Sequence, residues 1–287
     1  SAIHCWFGPY APALEQVIAT LQRDDLSPRT RLQLTESAAT LHTNLGQASK
    51  AFNAIEACIK LATLLKDRGA HGRGLNKKVN ILQAQGGLDS SEMVRLFEEA
   101  LQMLRSVGDW RSEVDTLLLM ASEALTSPQP EQAQPFLEEA LQKSRKHGGH
   151  MQEARTLRQR AIYYMDTGKM DLAERDLKDA LAQAEKTQEV GLLIQVHTSL
   201  GTLYKERGQL QESQAVHERG IRLARLNGCI APEAILMGNL ALILQLQGNT
   251  DEAKALYEET IQLTADWDLQ EVGLMARGNL GDLTLSQ

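Results

Sequence analysis

Apolar and small residues recur along this chain at helical spacing, and a glycine interrupts the pattern at regular intervals. Gly168, Gly208 and Gly248 are 40 residues apart, and each separates two amphipathic stretches. Pro128 occupies the same place one interval earlier. Because each stretch has the length of a helix of about 16 residues, the pattern predicts pairs of helices joined by short turns.

The helices of each predicted pair carry matching residues at the same interval. Small residues let two helix backbones approach, and large neighbours fill the gaps beside them. Units that bury one face against the next unit then share a continuous core. The apolar position of the second helices is occupied by Leu101, Leu141, Leu181, Ile221 and Ile261. The small position of the first helices is occupied by Ala121, Ala161, Gly201, Ala241 and Gly281.

The pattern predicts an all-α protein with a regular order of elements. We expect residues 1–10 to be irregular, a capping helix over 11–22 and a flexible glycine-rich joint at 69–74. A final helix at 270–285 has no predicted partner. The chain then divides into an N-terminal segment, 1–28, and an array, 29–287. The predicted pairs are 28–45 with 47–67, 75–85 with 89–106, 111–126 with 130–146, 151–167 with 170–186, 190–207 with 210–227, and 231–247 with 250–265.

Composition and charge exclude several classes of fold and function. The chain of 287 residues is 43% apolar but only 4% aromatic, which favours helices over a β-sandwich or barrel. Its net charge of −7 argues against nucleic-acid binding by this region. The longest apolar runs, such as 117–121, are five residues long, too short to cross a membrane. Three widely spaced cysteines favour free thiols and a cytoplasmic location.

Three successive repeats resemble the tetratricopeptide repeat (TPR). That family places a small residue on the first helix and a second small residue twelve positions later, on the second helix. The fourth repeat of this chain has Ala161, Tyr164, Gly168, Ala173, Leu177 and Ala180 at the family's positions. The fifth has Gly201, Tyr204, Gly208, Ser213, His217 and Gly220, and the sixth has Ala241, Leu244, Gly248, Ala253, Tyr257 and Thr260.

The chain departs from the family pattern in three respects and is similar to particular members of it. The early Trp of the family and the Pro at the end of its repeat are missing, and the period is 40 rather than 34. Long repeats of this size are typical of the Pins/LGN and kinesin light chain groups and of bacterial TPR regulators. The triplets at 238–240 and 278–280 read Gly-Asn-Leu, as in the Pins/LGN group.

The resemblance implies a right-handed α-solenoid of antiparallel helix pairs, the TPR superhelix, whose first helices line a concave face. The function it implies is a protein-interaction scaffold that binds a peptide or helix of a partner protein. Polar residues on the inward positions of the first helices are the candidate contacts, with a basic pair that suits acidic residues of the partner. These candidates are Arg155, Arg158, Gln159, Gln195, Thr198, Ser199, Thr202, Lys205, Asn239, Gln245, Asn279 and Asp282.

One alternative function remains beside the scaffold. The array could be the sensor or regulatory module of a larger signalling or transcription protein, binding a small ligand or that protein's own effector domain. The chain starts with Ser and ends within a helical pattern, so we expect a piece of a longer protein. The unpaired last helix carries an apolar strip of Leu280, Leu283 and Leu285, which offers a surface for a homodimer.

No motif in the sequence indicates catalysis, a metal or a cofactor. Gly69 and Gly74 have the spacing of a phosphate loop, but no Lys-Ser or Lys-Thr follows and no strand precedes them. His147 and His150 lack a further ligand at a recognised metal-binding spacing, which favours a solvated turn. We therefore expect no enzyme.

The remaining chemical candidates have structural interpretations. The glutamate pairs at 98–99, 138–139 and 258–259 recur in the repeat, as expected for an exposed helix edge with ion pairs. His217 occupies a core position and is expected to be a packing residue. Trp110 and Trp267 lie between repeats, where each ring is expected to cover the end of a helix pair rather than to anchor a partner.

Overall fold

The computed structural model describes residues 10–84, 86, 89–267 and 269–285, and this part of the chain contains helices and no strand. A short 3-10 turn, Pro130–Gln132, precedes α7. The helices are α1 Tyr10–Leu21, α2 Pro28–Asn44, α3 Ala48–Leu65, α4 Arg68–Ala84, α5 Ser90–Val107, α6 Trp110–Thr126, α7 Ala133–Lys146, α8 His150–Asp166, α9 Met170–Thr187, α10 Val190–Glu206, α11 Leu210–Leu226, α12 Ile230–Leu246, α13 Thr250–Asp266 and α14 Gln270–Leu285.

The helices group into two compact units, Pro9–Gln152 and Glu153–Gln287, which we call the N-terminal and C-terminal units. Within each unit, helices that follow one another in sequence pack together as antiparallel pairs. The N-terminal unit contains the pairs α2–α3, α4–α5 and α6–α7, and the C-terminal unit contains α10–α11 and α12–α13 with α14 on their far side. Each unit is therefore a stack of helix pairs, as in an α-solenoid.

Glycine ends many of these helices because the turn requires a left-handed backbone. Gly168, Gly208 and Gly248 have φ angles of 73°, 72° and 84°, a region that side chains with a Cβ adopt at a cost. The next residue then donates its N–H back to the last turn of the helix, for example from Gln209 to the Tyr204 oxygen at 2.8 Å. The 40-residue spacing of the glycines therefore marks the turns within successive pairs.

The core of the C-terminal unit alternates small and large residues. Ala241 on α12 is fully buried, and Tyr257 on α13 is buried in the same cluster, together with Leu236 and Met237. Burying a large apolar side chain contributes about 1.5–3 kcal/mol. The small residue predicted on each first helix thus leaves room for a large residue of the second helix.

The glycine-rich segment 69–74 is helix, so the expected joint is wrong. Helix α4 begins at Arg68, and the carboxylate of Asp67 accepts from the Ala70 N–H at 2.9 Å. A Cβ at Gly72 would lie 2.9 Å from the Leu104 Cγ. One at Gly74 would lie 2.7 Å from Ile59 Cγ1. The glycines let α4 pack closely on α3 and α5, and flexibility is not their role.

The apolar strip expected to be exposed on α14 faces inward instead. Leu283 is 3% exposed and Leu280 is partly buried, both packed into the core of the C-terminal unit. The side chain of Leu285 lies outside the described residues. Residues 276, 280 and 283 share one helix face, and that face packs on α12 and α13. The exposed apolar residues of α14 are Leu274 and Met275.

Candidate functional site

All twelve residues predicted to bind a partner lie in the C-terminal unit, on its first helices α8, α10, α12 and α14. Arg158 Nε donates to the Ser199 Oγ at 3.2 Å and so links α8 to α10. Helix α12 packs against both α10 and α14. On each of these helices, five positions are counted from the small core residue: six, three and two residues before it, and one and four residues after it. Together, these positions form what we call the first-helix surface.

The structure leaves most of this surface accessible to solvent. Eleven of the twelve predicted residues are half-buried or exposed, whereas Ser199 is only 9% exposed. On α12 the less buried residues form a single stripe, which includes Ile235, Asn239, Leu242 and Gln245. A stripe that recurs every three or four residues on a buried helix is the face left over after packing. The first-helix surface is therefore available to a ligand.

The hydroxyl groups on α10 donate to their own helix. Thr198 Oγ1 donates to the Ile194 oxygen at 2.9 Å, and Thr202 Oγ1 donates to the Thr198 oxygen at 3.1 Å. Ser199 Oγ donates to the Gln195 oxygen at 3.1 Å. A hydroxyl whose proton is used in this way still has acceptor capacity. These groups can accept N–H donors of a ligand backbone.

Arg158 is the residue of this surface with the most unusual environment. Burial is the main cause that lowers the pKa of the Arg158 guanidinium, and the neighbouring cation of Arg155 lowers it further. Among the described residues, no carboxylate contributes to that shift. A cation that has lost water and faces another cation gains strongly from an incoming anion. The place beside Arg158 is therefore suited to a carboxylate.

Two predicted residues at the other end of the surface also contact the core. The Tyr257 hydroxyl donates to the Gln245 Oε1 at 3.3 Å, and a hydrogen bond from Asn279 moderates the rise in the pKa of Tyr257 caused by burial. Gln245 and Asn279 are thus held in place by a buried tyrosine. Positioned amides present a donor and an acceptor in fixed directions.

Apolar and glycine residues of the same surface were missed by sequence reasoning. Ile235, Leu242 and Met275 occupy positions of the first-helix surface, as do Gly238 and Gly278. These residues stand at the same positions, counted from the small core residue, as the polar candidates. Sequence reasoning kept only the polar members, because exposed apolar residues are hard to distinguish from core residues in a sequence alone.

The N-terminal unit offers a different kind of cavity. A cleft of about 280 Å³ is lined by charged residues, among them Arg73, Glu36 and Asp109, and by no aromatic residue. Arg73 pairs with Glu36 at 2.6 Å and with Asp109 at 3.0 Å. Lys77 Nζ donates to Thr40 Oγ1 at 2.8 Å. Three of the charged residues that line this cleft, Arg73, Glu36 and Asp109, are therefore paired with one another.

The other candidates have structural roles. His217 is 2% exposed, as expected of a packing residue, and its Nδ1 contacts the Ser213 oxygen at 2.8 Å. The Trp110 ring stacks on His147 with 4.8 Å between ring centroids, so it covers the 147–149 turn. Trp267 follows the last turn of α13 and is 39% exposed.

The recurrent glutamates form ion pairs, and no metal cluster accompanies them. Glu139 pairs with Lys143 at 3.8 Å and with Arg105 at 2.6 Å, and Glu259 pairs with Arg225 at 2.9 Å. In the part of the chain that the structure describes, no group of three His, Cys, Asp or Glu side chains could hold a metal ion. Nor is any described helix long and apolar enough to cross a membrane.

Comparison with known proteins places the repeats in a family. Residues 152–225 and 234–265 match two family models, both described as tetratricopeptide repeat. A search of curated protein sequences gave no match to the chain. The two matched segments include most of α8 to α13, which carry much of the first-helix surface.

Solved structures share this fold at low sequence identity. A Rap protein complexed with Competence and Sporulation Factor has a TM-score of 0.68 and 14% identity, over 97% of this chain and 80% of that one. NprR in complex with its cognate peptide NprX has a TM-score of 0.62 and 16% identity, over 88% and 72%.

A third structure belongs to a larger protein. It is a Signal Transduction ATPase with Numerous Domains (STAND) protein with a tetratricopeptide repeat sensor, from Pyrococcus horikoshii. The TM-score is 0.62 at 16% identity, and the match covers 92% of this chain. This chain spans only 42% of the STAND protein.

Proposed function

We propose that this chain is a tetratricopeptide-repeat protein whose first-helix surface, in the C-terminal unit, binds a segment of a partner protein. The role is that of an interaction scaffold, without catalysis and without a cofactor. The Rap and NprR structures support the proposal because proteins of the same fold are seen with Competence and Sporulation Factor and with the peptide NprX.

The environment of Arg158 carries the proposal. Its guanidinium is half-buried and bonds to the Ser199 hydroxyl, and its pKa is lowered by burial and by the positive charge of Arg155. An acidic side chain or the C-terminal carboxylate of the partner would neutralise the Arg158 guanidinium through charge-assisted hydrogen bonds. We therefore infer that the bound segment places a carboxylate at Arg158.

The twelve predicted residues divide into two roles within this proposal. The arginines of α8 and Lys205 supply positive charge for the acidic part of the segment. The amides and hydroxyls of α10, α12 and α14 supply bonds to its backbone. An extended segment fits such a surface, because its own backbone groups need partners once water is removed.

A sensor module is the second candidate, and the similarity to the STAND protein favours it. In that case the first-helix surface would bind a small ligand or an effector domain of the same protein, and binding would change the activity of that domain. The paired charges and non-aromatic lining of the N-terminal cleft make a small apolar ligand a poor fit there.

The proposal also covers the cellular location and the oligomeric state of the protein. We infer a cytoplasmic location, consistent with the buried free thiols of Cys58 and Cys229. No nucleic-acid or membrane partner is proposed for this region. A homodimer through α14 would have to use Leu274 and Met275, because the strip first expected to be exposed is packed inside.

Selection from a peptide library tests the main proposal. The full chain is used as bait for random peptides of about twelve residues, enough to cross several helices in extended form. We expect enriched peptides to contain an acidic residue and to bind about tenfold or more weakly to the Arg155→Gln/Arg158→Gln double variant.

The matched control variant also removes two positive charges, but from the second helices of the repeats. Arg175 on α9 and Arg219 on α11 are exposed residues of second helices, and an Arg175→Gln/Arg219→Gln variant should keep full affinity. Far-ultraviolet circular dichroism of both variants checks that the helices remain. Equal losses in the two variants, or no enriched peptide at all, would contradict the proposal.

A further inference from the structure

Two of the five rows of equivalent positions on the first-helix surface change their chemistry from one helix to the next, in the order α8, α10, α12 and α14. The row one residue after the small core residue does not, because it reads Ile162, Thr202, Leu242 and Asp282. The row six residues before the small core residue reads Arg155, Gln195, Ile235 and Met275. The row three residues before it reads Arg158, Thr198, Gly238 and Gly278. Both rows begin with a cation and end with an apolar residue or no side chain.

The two glycines at the end of this series have no packing reason within the described structure. At two other helical glycines of the unit, a Cβ would meet a neighbour: one at Gly201 would lie 2.1 Å from His217 Cε1, and one at Gly220 would lie 2.9 Å from Leu236 Cδ1. A Cβ at Gly238 or Gly278 would meet nothing within 4 Å. Glycine inside a helix costs stability relative to alanine, so these two positions lose stability without a packing gain.

An amide follows each of these glycines, and an apolar side chain precedes it. Asn239 and Asn279 lie next to Gly238 and Gly278 in sequence, and both are half-buried at the surface. Ile235 is half-buried, and Met275 is 71% exposed. A glycine lets a ligand backbone approach the helix closely, and a neighbouring amide can bond to that backbone.

From this gradient we propose that the bound segment has a fixed direction and a mixed composition. Its acidic residue lies at Arg158 on α8, and its apolar side chains lie against Ile235 and Met275 on α12 and α14. Between them, the backbone of the segment passes over Gly238 and Gly278. This inference rests on the proposed peptide-binding function and names the class of peptide: an acidic residue at one end and apolar residues at the other.

The spacing of the helices sets the length of this segment. Packed helices have axes about 8–10 Å apart, so three steps from α8 to α14 cover roughly 27 Å. An extended chain advances about 3.3–3.6 Å per residue. The acidic residue and the last apolar residue of the segment are therefore separated by about eight residues.

Alanine at the two glycines tests the inference separately from the function. In the free protein, Gly238→Ala/Gly278→Ala has room for both methyl groups and should raise the midpoint of thermal unfolding. The same methyl groups would collide with a ligand backbone. We expect this variant to bind peptides enriched from the random library about tenfold more weakly, although it is more stable.

Gly281→Ala is the matched control. Gly281 lies on α14 like Gly278, and a Cβ there also meets nothing within 4 Å, but its position is equivalent to Ala241 and therefore lies outside the first-helix surface. This variant should gain stability and keep full affinity. Peptides that lack an apolar end, or full affinity of the double glycine variant, would overturn the inference.

The two proposals fail in different ways. Loss of affinity in the Arg155→Gln/Arg158→Gln variant together with full affinity in the double glycine variant would leave the binding function in place and reject the direction and the apolar end. If the library yields no peptide, both proposals are contradicted.

Discussion

The first helices of the two units use their charged residues differently. In the N-terminal unit, Arg73 joins Glu36 of α2 to Asp109 before α6, and Asn76 donates to Thr116 of α6 at 2.7 Å. In the C-terminal unit, Arg158 donates to the Ser199 hydroxyl, and burial and the positive charge of Arg155 lower the pKa of its guanidinium. One set of charges is neutralised within the protein, whereas Arg158 remains ready for a ligand. On the proposed function, this difference is the reason why the partner's carboxylate is assigned to Arg158.

Ion pairs cross from helix to helix in both units, as between Arg73 and Glu36 and between Arg225 and Glu259. In the C-terminal unit, α10 and α11 also meet where the His217 ring fills the space over Gly201. Close packing of this kind tolerates almost no change of volume. Three predictions address these contacts in order of decreasing effect.

Gly201→Ala should give the largest loss of stability. Its Cβ would lie 2.1 Å from His217 Cε1, so α10 and α11 would have to separate, at a cost of about 2–3 kcal/mol. Adding His217→Leu creates the combination of residues found 40 positions earlier, Ala161 with Leu177, and should recover most of that loss. Urea unfolding of the three proteins measures the effect. A single variant as stable as the wild type would show that this contact does not hold the pair together.

Arg73→Gln compared with Arg158→Gln tests the difference in charge pairing directly. Loss of Arg73 leaves Glu36 and Asp109 without their shared partner and should cost about 1–2 kcal/mol, reduced by partial exposure to solvent. Loss of Arg158 removes a desolvated cation and should change stability by less than about 0.5 kcal/mol. Equal losses, measured by urea unfolding, would remove the distinction between the two surfaces.

Acidification should weaken the C-terminal unit before the N-terminal unit. Burial lowers the pKa of His217, and the nearby charges of Lys205 and His197 act in the same direction, while its bond to the Ser213 backbone opposes them. The unfolded state therefore binds the proton first, so stability falls as the pH drops below about 6.5.

The carboxylates of the N-terminal unit respond at lower pH. Glu36 and Asp109 have lowered pKa values because their bonds to Arg73, and for Asp109 also to Ser112, outweigh burial. Their contribution is present above their ordinary pKa values and is lost only as the pH falls below about 4. Hydrogen exchange resolved by region should show earlier loss of protection in α10 and α11, by about 1 kcal/mol at pH 5. His217→Leu should abolish that early loss, and its persistence in the variant would assign it to other groups.

Much of the fold could be predicted from the sequence because the repeat makes each signal recur. The observed first helices from α6 onward begin at Trp110, His150, Val190, Ile230 and Gln270, within one residue of the predicted starts. The burial of His217 followed from its register alone. The pattern of one repeat alone would not have been enough to make these predictions.

The errors came from contacts between residues distant in sequence. Glycine's flexibility suggested a joint at 69–74, but the partners that require Gly72 and Gly74, Leu104 and Ile59, are not adjacent in the chain. Periodicity showed an apolar face on α14 without showing that α12 and α13 cover it. The candidate site on α8, α10, α12 and α14 stays a prediction, and its apolar members were left out because exposure is a property of the folded structure.

A charge-swap cycle tests the central claim most directly. The affinity of an enriched acidic peptide, and of the same peptide with its acidic residue changed to lysine, is measured against the wild-type chain and against Arg158→Glu. If the carboxylate lies at Arg158, the two changes should compensate, and the swapped pair should bind about tenfold or more tightly than the sum of the separate losses predicts. Purely additive losses would show that the acidic residue does not meet Arg158 and would contradict the proposed binding surface.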